Sequence, residues 1–361
     1  MKKNMVVLQD GEAAYAAVRA GFGAALLARP DEAVEASYVL GGAPVRFRVV
    51  GSRLAEEIER VLAHLALGGQ AAEGDFRAGP ALTIDFWDAE AAGVPAPLRP
   101  VPEGLGPYGL TQATADGRYV ADIRGGTIAV LDRSNGRIAG GTVSVHDMYL
   151  DERARPFHRL LSLWIRTRGV QYMHSALVAA EDEGILLTGA GGSGKSTTSL
   201  LCLQDGFDFL GDDFIGLERR RAGGFVGHSL YGSTVVGLSA LEDFPQFTSR
   251  AVPPNAPGEE KWLIYLNDIY PERMRREVEI RALAVAKVVG RERTEVRPVS
   301  RKEAMLGLAP SSLMLMTGAG TSSFEVLCDL AAAIPCYRLE LGRDMHDIPG
   351  VVAELLDGVP A

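Results

Sequence analysis

Apolar and polar residues change their period several times along the chain, and each change predicts an element. Residues 38–50, YVLGGAPVRFRVV, are two strand-like runs around Gly41-Gly42 and predict a hairpin. Ser52 then stands where a helix cap belongs, and Leu54, Ile58, Val61, Leu62 and Leu65 fall on one helical face before Gly68-Gly69. Residues 91–107 carry PAPLRPVPEGLGP, too rich in proline for the interior of an element, and read as a loop or linker. GRYVADIR, GTIAVLDR and GRIAGGTVSVH follow, divided by Gly-Gly and Ser-Asn-Gly turns, and predict an antiparallel meander ending near His146. Phe157, Leu160, Leu161, Trp164 and Ile165 mark an amphipathic helix.

Beyond it, HSALVAAEDEGILLTGAGG gives two apolar runs joined by a short acidic turn, so the second run is read as one arm of a hairpin in a mixed sheet. FDFLGDDFIGLE, GGFVGHSLYG, WLIYLND, VEIRALAVAKVVG and EVRPVSRKEA continue the alternation of strands and turns. Ser300 and Glu303 form a capping-box pattern, and further helices are expected at 323–333 and 348–356. The expected fold class is therefore mixed α/β, with a smaller β-rich α+β domain over 1–150 and a nucleotide domain with a mixed sheet over 151–361.

Composition narrows the function classes. The 361 residues are enough for two cores, and 37 basic against 46 acidic side chains, net −9, speak against a nucleic-acid partner or attraction to anionic membranes. Cys202, Cys328 and Cys336 form neither a disulfide framework nor a zinc pattern. The N-terminal 30 residues are interrupted by acids before a signal-peptide core develops, and no apolar run reaches spanning length. A cytoplasmic location is expected.

The candidate chemistry lies in GILLTGAGGSGKSTTSLLCL, residues 184–203. Gly189-Ala-Gly-Gly-Ser-Gly194-Lys195-Ser196 fits G-x-x-x-x-G-K-[ST], with a strand before it and a helix after. In such a loop Gly189, Gly191, Gly192, Ser193 and Gly194 let successive N–H groups converge on phosphate oxygens at a helix N-terminus, where Thr197 also lies. Lys195 would reach the β- and γ-phosphates of ATP, and the Ser196 hydroxyl would ligate Mg²⁺. Asp212-Asp213 follow 17 residues after Lys195, so a helix and a short return strand suffice to bring a carboxylate to the same phosphate. One carboxylate of such a pair can order the metal while the other receives a hydroxyl proton. His174 lies 21 residues before Lys195, at the start of the hairpin.

Together YMHSALV, GAGGSGKST and LGDDFIGLE resemble the HPr kinase/phosphorylase family over about 45 residues, 173–218. The resemblance implies a phosphoenolpyruvate carboxykinase-like P-loop kinase domain. It also implies His174 as an active-site partner, Lys195 and Ser196 on phosphate and Mg²⁺, Asp212 as general base, and Asp213 as its metal-side neighbour. VEIRALAV at 278–285 echoes a second family signature without its glycines, and is read as coincidence. The chain looks more like the HPr-kinase-related serine kinases of modified-peptide pathways, such as those for lasso peptides, than like the carbon-regulation enzyme. The implied acceptor is a serine hydroxyl on a peptide or protein, recognised in part by the N-terminal domain, and the related kinases often form oligomers. A free serine-like small molecule as acceptor, and a nucleotide-binding switch or ATPase, are the alternatives. Residues 317–323 read as a helix-capping loop and Lys261 as a solvated strand start. His64, His146, His158, His228 and His346 show no metal spacing.

Overall fold

Short-range patterning decides most of the local structure seen in the computed structural model, which describes residues 5–68, 81–97, 109–255, 259–314 and 320–359. The chain divides into two compact units, one of residues 1–164 with 235–264, the other of residues 165–234 with 265–361. The division expected at 150/151 thus falls at 164/165 in the contacts, and 235–264 groups with the first unit.

The first unit holds an eight-stranded sheet of β1 (Met5–Val7), β2 (Ala33–Leu40), β3 (Ala43–Val50), β4 (Leu82–Asp88), β5 (Leu110–Ala113), β6 (Tyr119–Arg124), β7 (Thr127–Asp132) and β8 (Arg137–Thr142). Its order is β1-β5-β6-β7-β8-β4-β3-β2. The expected hairpin is β2/β3 and the expected meander β6/β7/β8, all antiparallel. The sheet is mixed because β4 is inserted in parallel between β3 and β8 and β1 runs parallel to β5. A helix at Gly11–Ala28 buries Ala14, Val18, Phe22 and Ala25 in a core with Trp87, Ile128 and Val130. The helix Ser52–Leu62 forms as expected, yet Ser52 is its first residue and Gly51 its cap. The reason is local: the Ser52 N–H donates to the Glu32 carboxylate at 2.8 Å, so an acid from outside the helix satisfies its end.

The second unit holds the larger sheet. Its strands are β9 (Val170–Met173), β10 (Ala176–Ala180), β11 (Glu183–Thr188), β12 (Asp208–Gly211), β13 (Ile215–Arg219), β14 (Phe225–Ser229), β17 (Glu277–Val288), β18 (Glu295–Pro298) and β19 (Cys336–Leu341), while β15 (Ser233–Gly237) and β16 (Lys261–Tyr265), most of whose residues fall in 235–264 of the first unit, form a separate ribbon. The main path is β12-β10-β11-β17-β14-β13-β9, with β19 added to β17 and β18 to β19. The β10/β11 hairpin is antiparallel, whereas β11/β17 and β17/β19 are parallel. The VEIRALAV run is thus part of β17, the partner of the strand that feeds the glycine loop. Along β17 burial alternates over Glu277–Ile280 and becomes continuous over Ala282–Ala286, as expected where one covered face gives way to two.

Helices Arg301–Met314 and Thr321–Ala333 supply Ala304, Leu308, Leu327 and Leu330 to this core. Only half of the expected capping box forms. The Glu303 N–H donates to Ser300 at 3.3 Å, but the Glu303 carboxylate accepts from Arg297 and Arg338 instead. The capping loop expected at 317–323 lies partly outside the described residues, as does much of the 91–107 loop. Among the described residues no helix is long and apolar enough to cross a membrane.

Candidate active site

The apolar residues of β11 are fully buried, so the strand ends rigidly at Thr188, and the chain must turn at once. Gly189 takes φ 143°, and a Cβ there would lie 2.8 Å from the Ala286 carbonyl oxygen of β17. Gly194 caps the following helix at φ 95°, where a Cβ would meet Leu341 at 2.4 Å. Both positions require glycine on conformational and steric grounds. In contrast, Gly191 and Gly192 face open space, with no atom within 4 Å of an added Cβ. The loop therefore presents a bare backbone at the N-terminus of the helix Lys195–Gln204, the arrangement that binds anions.

Lys195 is 6% exposed, and its Nζ donates to the carbonyls of Gly189 at 3.0 Å and Ala190 at 3.2 Å. Carbonyl dipoles hold the ammonium in place, but the buried cation gains most from a full negative charge. The Ser193 hydroxyl is buried without a hydrogen-bond partner among the described residues, as is that of Thr198. Ser196 and Thr197 are half-buried on the first helical turn.

The helix returns through β12, antiparallel to β10, and delivers Asp212 and Asp213 directly after the strand. Their environments differ. Asp212 is 1% exposed; Oδ1 accepts from Ser199 at 3.3 Å, and Oδ2 accepts from the Thr234 hydroxyl. Burial and the adjacent Asp213 charge push the Asp212 carboxyl above its usual range, against the hydrogen bonds of Thr234 and Ser196 and the charge of Lys195. Asp213 is more open, with its Oδ1 at 3.5 Å from His174 Nε2. The His174 ring packs edge-on against Phe214 at 5.6 Å, and its Nδ1 is buried without a partner among the described residues.

The structure therefore groups Lys195, Ser196 and Asp212, and pairs His174 with Asp213 rather than with Asp212. Two further hydroxyls belong to the site. Ser199 sits one turn beyond Lys195 on the same helical face, a spacing visible in the sequence. Thr234 comes from β15, and no local pattern connects it with Asp212. Ser175, beside His174, is fully buried with its hydroxyl unpartnered among the described residues.

A hydroxyl and two carboxylates are the hard oxygen donors that suit Mg²⁺, whose shell is usually completed by phosphate oxygens and water. Among the described residues no three His, Cys, Asp or Glu side chains cluster as a self-contained metal site. The expected Lys261 is exposed at the start of β16.

No protein-family model matches the chain, and no curated protein matches it. Among solved structures it is similar to the HPr(Ser) kinase/phosphatase from Coxiella burnetii, at 15% identity over 52% of this chain and 94% of that one, with a TM-score of 0.28. At that level the likeness carries no functional weight, and what the site can do follows from its own residues.

Proposed function

We propose that the chain is an ATP-dependent kinase that transfers the γ-phosphate to a serine-type hydroxyl on a peptide or protein. The observation that supports it most is the convergence of a buried lysine, a bare glycine loop and a buried carboxylate whose oxygens already accept hydroxyl hydrogen bonds. Backbone N–H groups of 189–194 and Lys195 bind the phosphates. Ser196 and Asp213 would hold Mg²⁺, which would supply neutralisation of phosphate charge. The acceptor oxygen attacks the γ-phosphorus, the bond to the ADP oxygen breaks, and the hydroxyl proton passes to Asp212. A carboxyl with a raised pKa is a better proton acceptor than an ordinary aspartate. His174 orients Asp213 through the 3.5 Å contact. The first unit, which carries no phosphate motif, serves acceptor recognition.

The near-complete burial of Asp212 and its hydrogen bond with Ser196 favour a second reading, in which both aspartates serve the metal of a nucleotide-binding switch or ATPase. Incubation with γ-labelled ATP, Mg²⁺ and serine-containing peptides encoded by neighbouring genes separates the two. Label on a peptide serine is the expected result; release of phosphate with no labelled hydroxyl in any peptide, or in free serine, would reject the kinase.

A further inference from the structure

The chain is acidic overall, yet one part of the second unit reverses that sign. β9 pairs with β13, placing Val170 opposite Glu218, so the turn before β9 lies beside the end of β13. That turn closes with the Arg168 N–H on the Ile165 carbonyl and the Gly169 N–H on that of Arg166, with Gly169 at φ 83°. β13 leads into the hairpin turn Arg220–Gly224, closed by the Arg220 N–H on the Gly224 carbonyl at 3.1 Å. The two turns flank an open cleft of about 520 Å³, lined by Arg168, Arg219, Arg220 and Arg221 with Glu218, Gly169 and Ala222. All four arginines are exposed. β13 separates the cleft from Asp213 by five residues, roughly 16 Å of extended chain.

Two of the cleft's arginines are held only by exposed pairs. Arg219 pairs with Asp329 and Arg220 with Glu277, with every partner about half exposed, and such pairs contribute about 0–1 kcal/mol. Arg221 has no ion-pair partner among the described residues. Glu218, the acid in the lining, is turned to His228 at 2.8 Å. No aromatic side chain lines the cleft, so it lacks the stacking platform that single-stranded nucleic acid uses. Guanidinium groups that already take the carboxylates of Asp329 and Glu277 can exchange them for those of a partner.

We propose that this cleft is a docking site for an acidic peptide segment, whose carboxylates are taken by Arg168, Arg219, Arg220 and Arg221. It is separate from the phosphate loop, and binding requires no phosphotransfer, so its test stands whether or not the kinase reading holds.

The test uses the full chain and fluorescence anisotropy of a labelled octaglutamate peptide at low salt. The R219Q/R220Q/R221Q variant should bind at least about tenfold more weakly, while R19Q/R53Q/R133Q, which removes the same charge from the first unit, should bind as the parent does. Circular dichroism confirms that both variants are folded. Should the triple variant fail to fold, R221Q, which removes no ion pair, should still weaken binding about threefold and reduce its salt dependence. Equal loss in the two triple variants, octaglutamate binding no tighter than a Gly-Ser octapeptide, tighter binding of a single-stranded oligonucleotide, or unchanged affinity in R221Q would each overturn the proposal.

Discussion

Each unit buries a cluster of charges, and the two clusters are finished differently. In the first unit Arg124, 3% exposed, lies 3.0 Å from Asp151, 3.7 Å from Asp122 and 3.8 Å from Glu152, and its Nη2 lies 3.2 Å from His158 Nδ1. Arg159 binds Asp122 at 2.9 Å, and Arg155 binds Asp151. Three guanidiniums answer three carboxylates, and the adjoining cavity of about 30 Å³ has room for a single water. In the second unit Lys195 rests on two carbonyls, Asp212 carries a raised pKa, and the hydroxyls of Ser193, Thr198 and Ser175 are unpartnered among the described residues. Buried charges paired with one another stabilise one arrangement of the chain. Buried hydroxyls left open store binding capacity for a ligand.

The largest expected effect sharpens this contrast at the open site. Asp212→Asn keeps the size and much of the hydrogen bonding but cannot receive a proton, so single-turnover transfer should fall by roughly 10²- to 10⁴-fold with Mg-ATP affinity almost unchanged. Asp213→Asn should weaken Mg-ATP binding instead. Equal loss of binding in both would favour the metal-holding reading of the pair.

At the Arg124 network the effect should be on stability. Arg124→Leu leaves carboxylates buried without their shared cation and should cost about 3–5 kcal/mol in denaturant unfolding, with nucleotide binding retained. A cost below about 1 kcal/mol would show that the network is not closed around Arg124.

A smaller effect concerns pH. Burial raises the Glu152 carboxyl to about 7, against the pull of Arg124, so the native state keeps a proton that the unfolded chain loses. From the ordinary value of 4.5 up to about 7, this group lowers stability as pH rises. Burial and the Arg124 charge lower His158 to about 3, so from there to its ordinary 6.5 this group raises stability with pH. The two oppose each other between 4.5 and 6.5, so their joint contribution should be nearly flat there. Glu152→Gln removes one side, so its stability relative to the parent should climb across that window by about 1–3 kcal/mol in urea unfolding at stepped pH. A flat difference between variant and parent would contradict the assignment.

How much of this could be read from the chain depended on range. The phosphate loop is legible because its chemistry is backbone chemistry, written in consecutive glycines that a tight turn and an anion both require. The β2/β3 hairpin and the β6–β8 meander are legible because their turns are local. β4 is harder to place, since LTIDFWD is buried on both faces and its parallel partners β3 and β8 are not joined to it by local turns. Half of the residues that the helix Gly11–Ala28 buries are glycine or alanine, so its stripe stands out little against an alanine-rich sequence. Thr234 and the Arg124 network were not legible, because residues 22 and up to 37 positions apart meet only through tertiary packing.

The most direct test of the central claim is thermal unfolding of Lys195→Ala with and without Mg-ATP. If Lys195 is a buried cation kept for a phosphate, the variant should be folded and at least as stable as the parent without nucleotide, because a desolvated charge has been removed. Mg-ATP should raise the Tm of the parent by several degrees and leave that of the variant unmoved, as expected when a ligand binds only one of the two folded chains. An equal nucleotide-induced rise in both proteins would contradict the account.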